Sequence, residues 1–320
     1  MKKKKKILII FSISLIVFVL LNMVGVLIAY NIIFFKPHDV DLNSHFNYDY
    51  QLYEKDYKRE EITYSIGDYN LKGYAYLKNE TSNLVITVHG IKDFADYLLE
   101  EDIFFLDNGY NVFSFDCSGC GKSEGYLNGF SQELIDLDKT LDFLNQDTRF
   151  KDYNKYLFGF SAGAYASASV LEFKHDIKGV CAISGYNDAK NLVFEKGKGY
   201  VGPLAYIGIP FVALKDQIIF NDYLDVLASN AINNSNTKVF IAHGDKDSTI
   251  PYSLSILKEF EDSDKVVKYS EDASHSGILY SKEAREYQKK MKDEEEINRS
   301  LYNELNKPLF DAILDFYASC

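Results

Sequence analysis

Serine, acid and histidine occur in this chain in an order and a setting that suit acyl transfer. Ser161 sits in Gly159-Phe160-Ser161-Ala162-Gly163, after the short apolar run Tyr156-Leu157-Phe158 and before the helix-favouring Ala164-Tyr165-Ala166-Ser167-Ala168. A serine at such a sharp strand-to-helix turn is a candidate nucleophile. The flanking glycines have a steric task, because strand and helix nearly touch there and a Cβ is not tolerated. A serine hydroxyl attacks a carbonyl only if a base takes its proton, and a histidine can do so near neutral pH. A carboxylate would hold that imidazole in the right tautomer and stabilise the imidazolium.

Candidate acids and the base lie downstream. Lys238 to Ala242 reads as a buried strand running into His243-Gly244-Asp245-Lys246-Asp247, which puts Asp245 and Asp247 on the loop at its carboxyl end. Asp188, after the strand Val180 to Ile183, is a third possible acid. The strand Val266 to Tyr269 is followed by Ala273-Ser274-His275-Ser276-Gly277. Of the six histidines, His275 is the one that follows both the acid and a strand. Each of the three groups thus falls just past a strand, where open α/β sheets place their reactive groups. His89 and His243 precede glycines at strand ends and read as hydrogen-bonding turn residues, and Asp116 as a brace for its loop.

Positioning these loops takes an alternation of elements. Strands are expected near 62–66 and 71–77, then at Leu84 to Val88 and Asn111 to Phe115, with helices at 96–108, 131–145, 162–173, 254–261 and near the carboxyl end. This alternation predicts an α/β fold with a mostly parallel sheet covered by helices on both faces. The strand 84–88 ends at His89-Gly90, and the strand 111–115 at Asp116-Cys117-Ser118-Gly119-Cys120-Gly121-Lys122-Ser123-Glu124-Gly125. Together with Gly159 to Gly163, Asp247 and His275, these residues resemble the α/β-hydrolase superfamily. More narrowly, they resemble its membrane-anchored bacterial branch, grouped with serine aminopeptidase (S33)-like and acylglycerol-lipase-like hydrolases.

The resemblance covers residues 60 to 320 and is specific for the superfamily rather than for a substrate. It implies a Ser161–His275–Asp247 triad, with Asp247 preferred to Asp245 as the acid. The oxyanion of a tetrahedral intermediate would then be met by the backbone N–H of Ala162, at the start of its helix, and by that of Ile91. It also implies a cap in the long interval at about 186–236. The apolar middle of that interval, Tyr200 to Phe211, admits two readings: a lid lining an acyl or aromatic pocket, or a helical insert packed on the core. Two departures stand out. Ser118 occupies a position where relatives carry an arginine, and Ile91-Lys92-Asp93 lacks the glycine-rich run of many lipases and esterases.

The amino end carries the other strong signal. Lys2 to Lys6 precede Ile7 to Phe35, a stretch without one charged side chain. This exceeds the roughly 20 residues that cross a bilayer and the roughly 7–15 of a signal-peptide core, so an uncleaved anchor is expected. The lysines belong in the cytoplasm and the domain outside it, at the cell membrane in a single pass. The chain then divides into a basic segment 1–6, an anchor 7–35, a polar, Tyr-rich tether 36–60 and a hydrolase domain 61–320. The net charge of −12 includes five anchor lysines, and the more acidic remainder excludes nucleic acid as a partner.

Four cysteines make no disulfide framework in a domain of this size, and Cys117 and Cys120 lack the second pair that a zinc site needs. Residues 281–306 are charged, with Ile297, Leu301 and Leu305 at four-residue spacing, which predicts one solvated helix with a packed stripe. The expected activity is cleavage of a small-molecule ester, or of a short peptide or amide, without metal or organic cofactor. Thioesterase or acyltransferase chemistry on the same triad remains open, as does a catalytically silent surface protein that binds a partner.

Overall fold

Leu84, Ile86 and Val88 bury into one hydrophobic layer and Val85 into the other, the period-2 alternation of a strand covered on both faces. In the computed structural model, which describes residues 2–34, 50–202, 205–291 and 297–320, this strand is one of eight. They are β1 (Glu60–Ser65), β2 (Asn70–Tyr76), β3 (Asn83–Val88), β4 (Asn111–Asp116), β5 (Asn154–Phe160), β6 (Ile177–Ile183), β7 (Lys238–Gly244) and β8 (Val267–Glu271). The sheet order is β1-β2-β4-β3-β5-β6-β7-β8. Strands β3 to β8 run parallel, while β2 is antiparallel to both β1 and β4.

Helices fill the connections: α1 (Lys2–Phe34), α2 (Leu99–Asp107), α3 (Gln132–Gln146), α4 (Ala162–Ser169), α5 (Ala189–Val201), α6 (Ala205–Phe220), α7 (Ala228–Asn234), α8 (Ile256–Glu259), α9 (Lys282–Lys290), α10 (Arg299–Tyr302) and α11 (Lys307–Ala318). Buried residues of α3, α4 and α7 join the layer on one face of the sheet, and those of α2 and α11 the layer on the other. Every parallel strand therefore ends on the same edge of the sheet, and the loops carrying Ser161, Asp247 and His275 share that edge.

Some expectations are corrected. The helix expected at 254–261 shrinks to α8, four residues capped by the Ser255 hydroxyl. The charged stretch 281–306 forms α9 and α10 separately, and Leu305 leaves helical geometry to bridge to Tyr280. Residues 292–296 of it lie outside the described residues, as do 36–49 of the expected tether. The rest of that tether is docked on the domain. Arg59 pairs with Asp96 and stacks 3.8 Å from the Tyr50 ring and 4.1 Å from the Tyr74 ring, while the Tyr53 hydroxyl donates to Glu100 at 2.6 Å.

Several acids are buried in the helices flanking the sheet. Glu133 on α3 is fully buried, and among the described residues neither of its carboxylate oxygens has a hydrogen-bond partner. Burial pushes Glu133 and Glu101 up to about 8 and Asp102 up to about 7. Such an acid holds its proton in the folded chain at a pH where the unfolded chain has lost it. Its contribution to stability is complete below the unfolded value and is lost as pH rises toward the folded one. The thermal midpoint is therefore expected to fall between pH 5 and pH 9, and Glu133→Gln to flatten part of that slope. A wild-type profile that is level or rises over this range would contradict the assignment.

Candidate active site

The turn at Ser161 is held by sterics on both sides. β5 delivers the chain into Ser161, whose φ of 58° and ψ of −115° lie where a residue with a Cβ is strained, and α4 begins at the next residue. The Ser161 N–H donates to the Ile183 carbonyl of β6 at 2.8 Å. A Cβ on Gly159 would stand 2.2 Å from the Gly163 carbonyl oxygen, and one on Gly163 would stand 2.0 Å from that of Val88. Only glycine fits at either place, which is why the pentapeptide was legible as a turn.

Asp247 and His275 come to this serine from the loops after β7 and β8. Asp247 is buried, and its Oδ1 accepts the backbone N–H of Thr249 and of Ile250, each at 2.8 Å. Its Oδ2 lies 2.6 Å from His275 Nδ1, and His275 Nε2 lies 2.8 Å from Ser161 Oγ. An ionised carboxylate can only accept, so the imidazole proton belongs on Nδ1 and Nε2 is free to accept the serine hydroxyl. Asp245, by contrast, is exposed, and Asp188 caps α5 by accepting from the N–H groups of Lys190 and Asn191.

His89 and His243 take the bracing roles read from the sequence. His89 Nε2 accepts the Cys117 N–H at 3.0 Å and its Nδ1 donates to the Gly90 carbonyl at 2.7 Å; burial pushes it down to about 4, so it stays neutral. His243 Nε2 lies 2.9 Å from the Ile250 carbonyl oxygen, on the loop that holds Asp247. Asp116 accepts from the Tyr74 hydroxyl and from the Ala95 and Lys122 N–H groups, each at 2.8 Å. Ser118 gives both its N–H and its hydroxyl to Asp136 at 2.7 Å. Cys117 and Cys120 are buried, separate thiols.

Ile91 and Ala162 both line the cavity beside Ser161. Ala162 is the first residue of α4, so its N–H has no partner within the helix. The loop after β3 lies directly over the serine, since a Cβ on Gly90 would approach Ser161 Cβ to 3.3 Å. The cavity has a volume of about 410 Å³. Its walls are largely apolar and include Phe130, Tyr186, Leu192, Val193, Ile209 and Val212. Residues of α5 and α6 line the cavity, and Leu192 also packs in the core. Lys92 and Lys196 line it too, and among the described residues no carboxylate does.

Comparison with known proteins follows the same lines. Residues 79–205 match the serine aminopeptidase, S33 family. The Pyrococcus furiosus esterase Pf2001 superposes with a TM-score of 0.55 at 22% identity, over 71% of this chain and 87% of that one. Est1E from Butyrivibrio proteoclasticus, solved with ferulic acid bound, gives 0.52 at 14% identity, over 67% and 90%. The chain has the α/β-hydrolase fold. An uncharacterized protein, RP471 of Rickettsia prowazekii, is 26% identical over 136 residues, which span 42% of this hydrolase-fold chain and 55% of that protein. The S33 match ends at the start of α6, so the loops bearing Asp247 and His275 are tied to the α/β-hydrolase pattern by their geometry alone.

Two features of the site escaped sequence reasoning. Ser184, at the end of β6 with a φ of 57°, donates its hydroxyl to the His275 carbonyl at 3.0 Å and so fixes the histidine loop. No motif surrounds it. Replacing Ser184 with alanine should lower kcat about fivefold with KM nearly unchanged, the worth of about one hydrogen bond, and a shift in KM alone would contradict that positioning role. The second feature is that α1 contributes to the cavity wall, which an apolar run by itself could not reveal.

Proposed function

We propose that this protein is a membrane-anchored serine hydrolase that cleaves carboxylic esters through an acyl-enzyme on Ser161. The observation that carries this reading is the hydrogen-bonded series Asp247–His275–Ser161 opening onto an apolar cavity. Ser161 Oγ attacks the ester carbonyl as His275 Nε2 takes its proton, and Asp247 stabilises the imidazolium. The N–H groups of Ala162 and Ile91 receive the oxyanion. Collapse expels the alcohol, which takes the proton back from Nε2, and a water activated by the same nitrogen then releases the acid.

An aminopeptidase would need a carboxylate to receive the free amine of its substrate. Of the acids in the cap, Glu195 is paired with Lys198, Asp225 with Lys190, and Asp216 accepts the Tyr30 hydroxyl. A cavity lined by Lys92 and Lys196 favours an ester over an amine-bearing peptide. The esterases that this chain resembles in fold agree in direction.

The test is turnover of p-nitrophenyl esters of graded acyl length beside aminoacyl p-nitroanilides. Asp247→Asn should lower kcat for the ester by about 10⁴-fold, while Asp245→Asn changes it by less than about twofold. Equal effects of the two substitutions would sink the assignment of the acid. Anilide cleavage alone would indicate an exopeptidase, and a folded protein inert to esters and to a fluorophosphonate would indicate a binding protein.

For topology, α1 carries a candidate span from Lys3 to Ile32 whose most apolar 18-residue window has a mean hydropathy of 2.9, with the lysine run at its amino end. We place the lysines in the cytoplasm and the catalytic domain outside. Protease added to intact cells should then digest the domain, and full protection until the cells are lysed would reverse the orientation.

A further inference from the structure

The helix long enough to cross a membrane is also a wall of the cavity that contains Ser161. Val26, Ala29, Tyr30 and Phe34 of α1 line that cavity. The helix is exposed on all sides from Lys3 to Phe18, and from Val19 onward it is covered at Val19, Asn22, Met23, Val26, Leu27, Tyr30 and Phe34. Spacings of three and four residues make this one face.

The cap helix α6 lies against that face. A Cβ on Gly208 would stand 2.3 Å from Val26 Cγ2 and 2.9 Å from Asn22 Oδ1, so the two helices cross as closely as a glycine allows. Further along, the Tyr30 hydroxyl donates to Asp216 at 2.9 Å in a buried contact, and Lys215 Nζ donates to Asn31 Oδ1 at 2.8 Å. The helix and the cap are therefore joined by packing and by these polar contacts.

Length places this junction relative to the bilayer. About 20 helical residues cross the roughly 30 Å hydrocarbon layer. Counted from Ile7, just after the lysines, that layer is crossed near Val26, and the surplus through Phe34 is the part that lines the cavity. Alongside it, α6 leaves Tyr206, Leu214 and Ile218 exposed, at 63%, 60% and 77%. Apolar exposure on a helix beside an emerging membrane span, with a tyrosine among it, suits the headgroup level.

We infer that the cavity receives the acyl chain of a membrane-partitioned ester, which enters from the bilayer beside the α1–α6 junction and lies along Val26, Tyr30 and Phe34. This rests on the serine-hydrolase reading of Ser161. A chain passing from lipid into an apolar cavity need not cross water, so the anchor serves as part of the substrate site as well as a tether.

The test uses the full chain in phosphatidylcholine vesicles. A long-chain alkyl fluorophosphonate bearing a diazirine on the chain is allowed to label Ser161 of the wild type, then photolysed and mapped by mass spectrometry. Adducts within residues 19–34 are expected; adducts in the cap or core with none in that segment would overturn the inference. Separately, Val26→Trp and Gly208→Val should each lower the ratio of kcat/KM for a vesicle-dissolved hexadecanoyl ester to that for p-nitrophenyl acetate by about tenfold. An unchanged ratio in both variants would overturn it as well, with Ser161-dependent acetate cleavage showing that the hydrolase reading survives. If the wild type neither cleaves acetate nor labels at Ser161, the hydrolase reading itself fails and takes the inference with it.

Discussion

Ser161→Ala is expected to lower kcat for ester cleavage by about 10⁵- to 10⁶-fold and to abolish fluorophosphonate labelling. The size follows from the geometry: His275 Nε2 lies 2.8 Å from Ser161 Oγ and, among the described residues, bonds no other hydroxyl, so the acyl-enzyme route is lost as a whole. His275→Ala should cost nearly as much, and the double variant hardly more than either single one, because groups that act as a unit are not additive. The residual rate would come from the Ala162 and Ile91 N–H groups and from binding in the cavity. Burst and steady-state kinetics on a p-nitrophenyl ester measure all three variants. A Ser161→Ala protein that kept more than about a hundredth of the activity would place the nucleophile elsewhere.

Gly163→Ala carries the second large effect, and it acts on the backbone. The added methyl would stand 2.0 Å from the Val88 carbonyl oxygen and 2.6 Å from that of His89, both at the end of β3. Backbone in the middle of a parallel sheet has little room to yield, so destabilisation of about 3 kcal/mol or more is expected. Any relaxation that does occur pushes the His89–Gly90 loop away from Ser161. Because Ile91 follows that loop, the folded fraction should lose about a further hundredfold in kcat. Denaturation midpoints and active-site titration separate the two effects. Wild-type stability together with wild-type turnover would show that helix and strand do not meet at this glycine.

Most of the chemistry was legible because it depends on short, local patterns. A nucleophile turn needs glycines within two residues of the serine, and buried parallel strands need unbroken apolar runs, so β3 to β7 and the loops at their ends could be placed from the chain alone. Boundaries were less secure where tertiary contacts override local preference. The stretch around Leu254 to Glu261 became a short capped helix because Ser255 binds the N–H of Lys258. Past the end of α10, Leu305 is held out of helical geometry by its pairing with Tyr280.

The pairing of His275 with an acid on the preceding loop was what the resemblance implied; sequence by itself determined the order of strands and helices, the nucleophile motif and the length of the apolar amino-terminal run. Each is set by periodicity or by sterics over a few residues, which a chain displays without being folded. The choice of Asp247 over Asp245 by contact was decided by tertiary structure, since two carboxylates two residues apart differ only in which one faces the histidine. Ser184 acquired its role the same way, 91 positions from the carbonyl it holds. So did α1: the sequence shows an apolar run long enough to cross a membrane, and only its packing across Gly208 and Asp216 makes the far end of that run a wall of the cavity. Contacts between residues nearly two hundred positions apart leave no local pattern, because they arise from the shape that the whole sheet imposes.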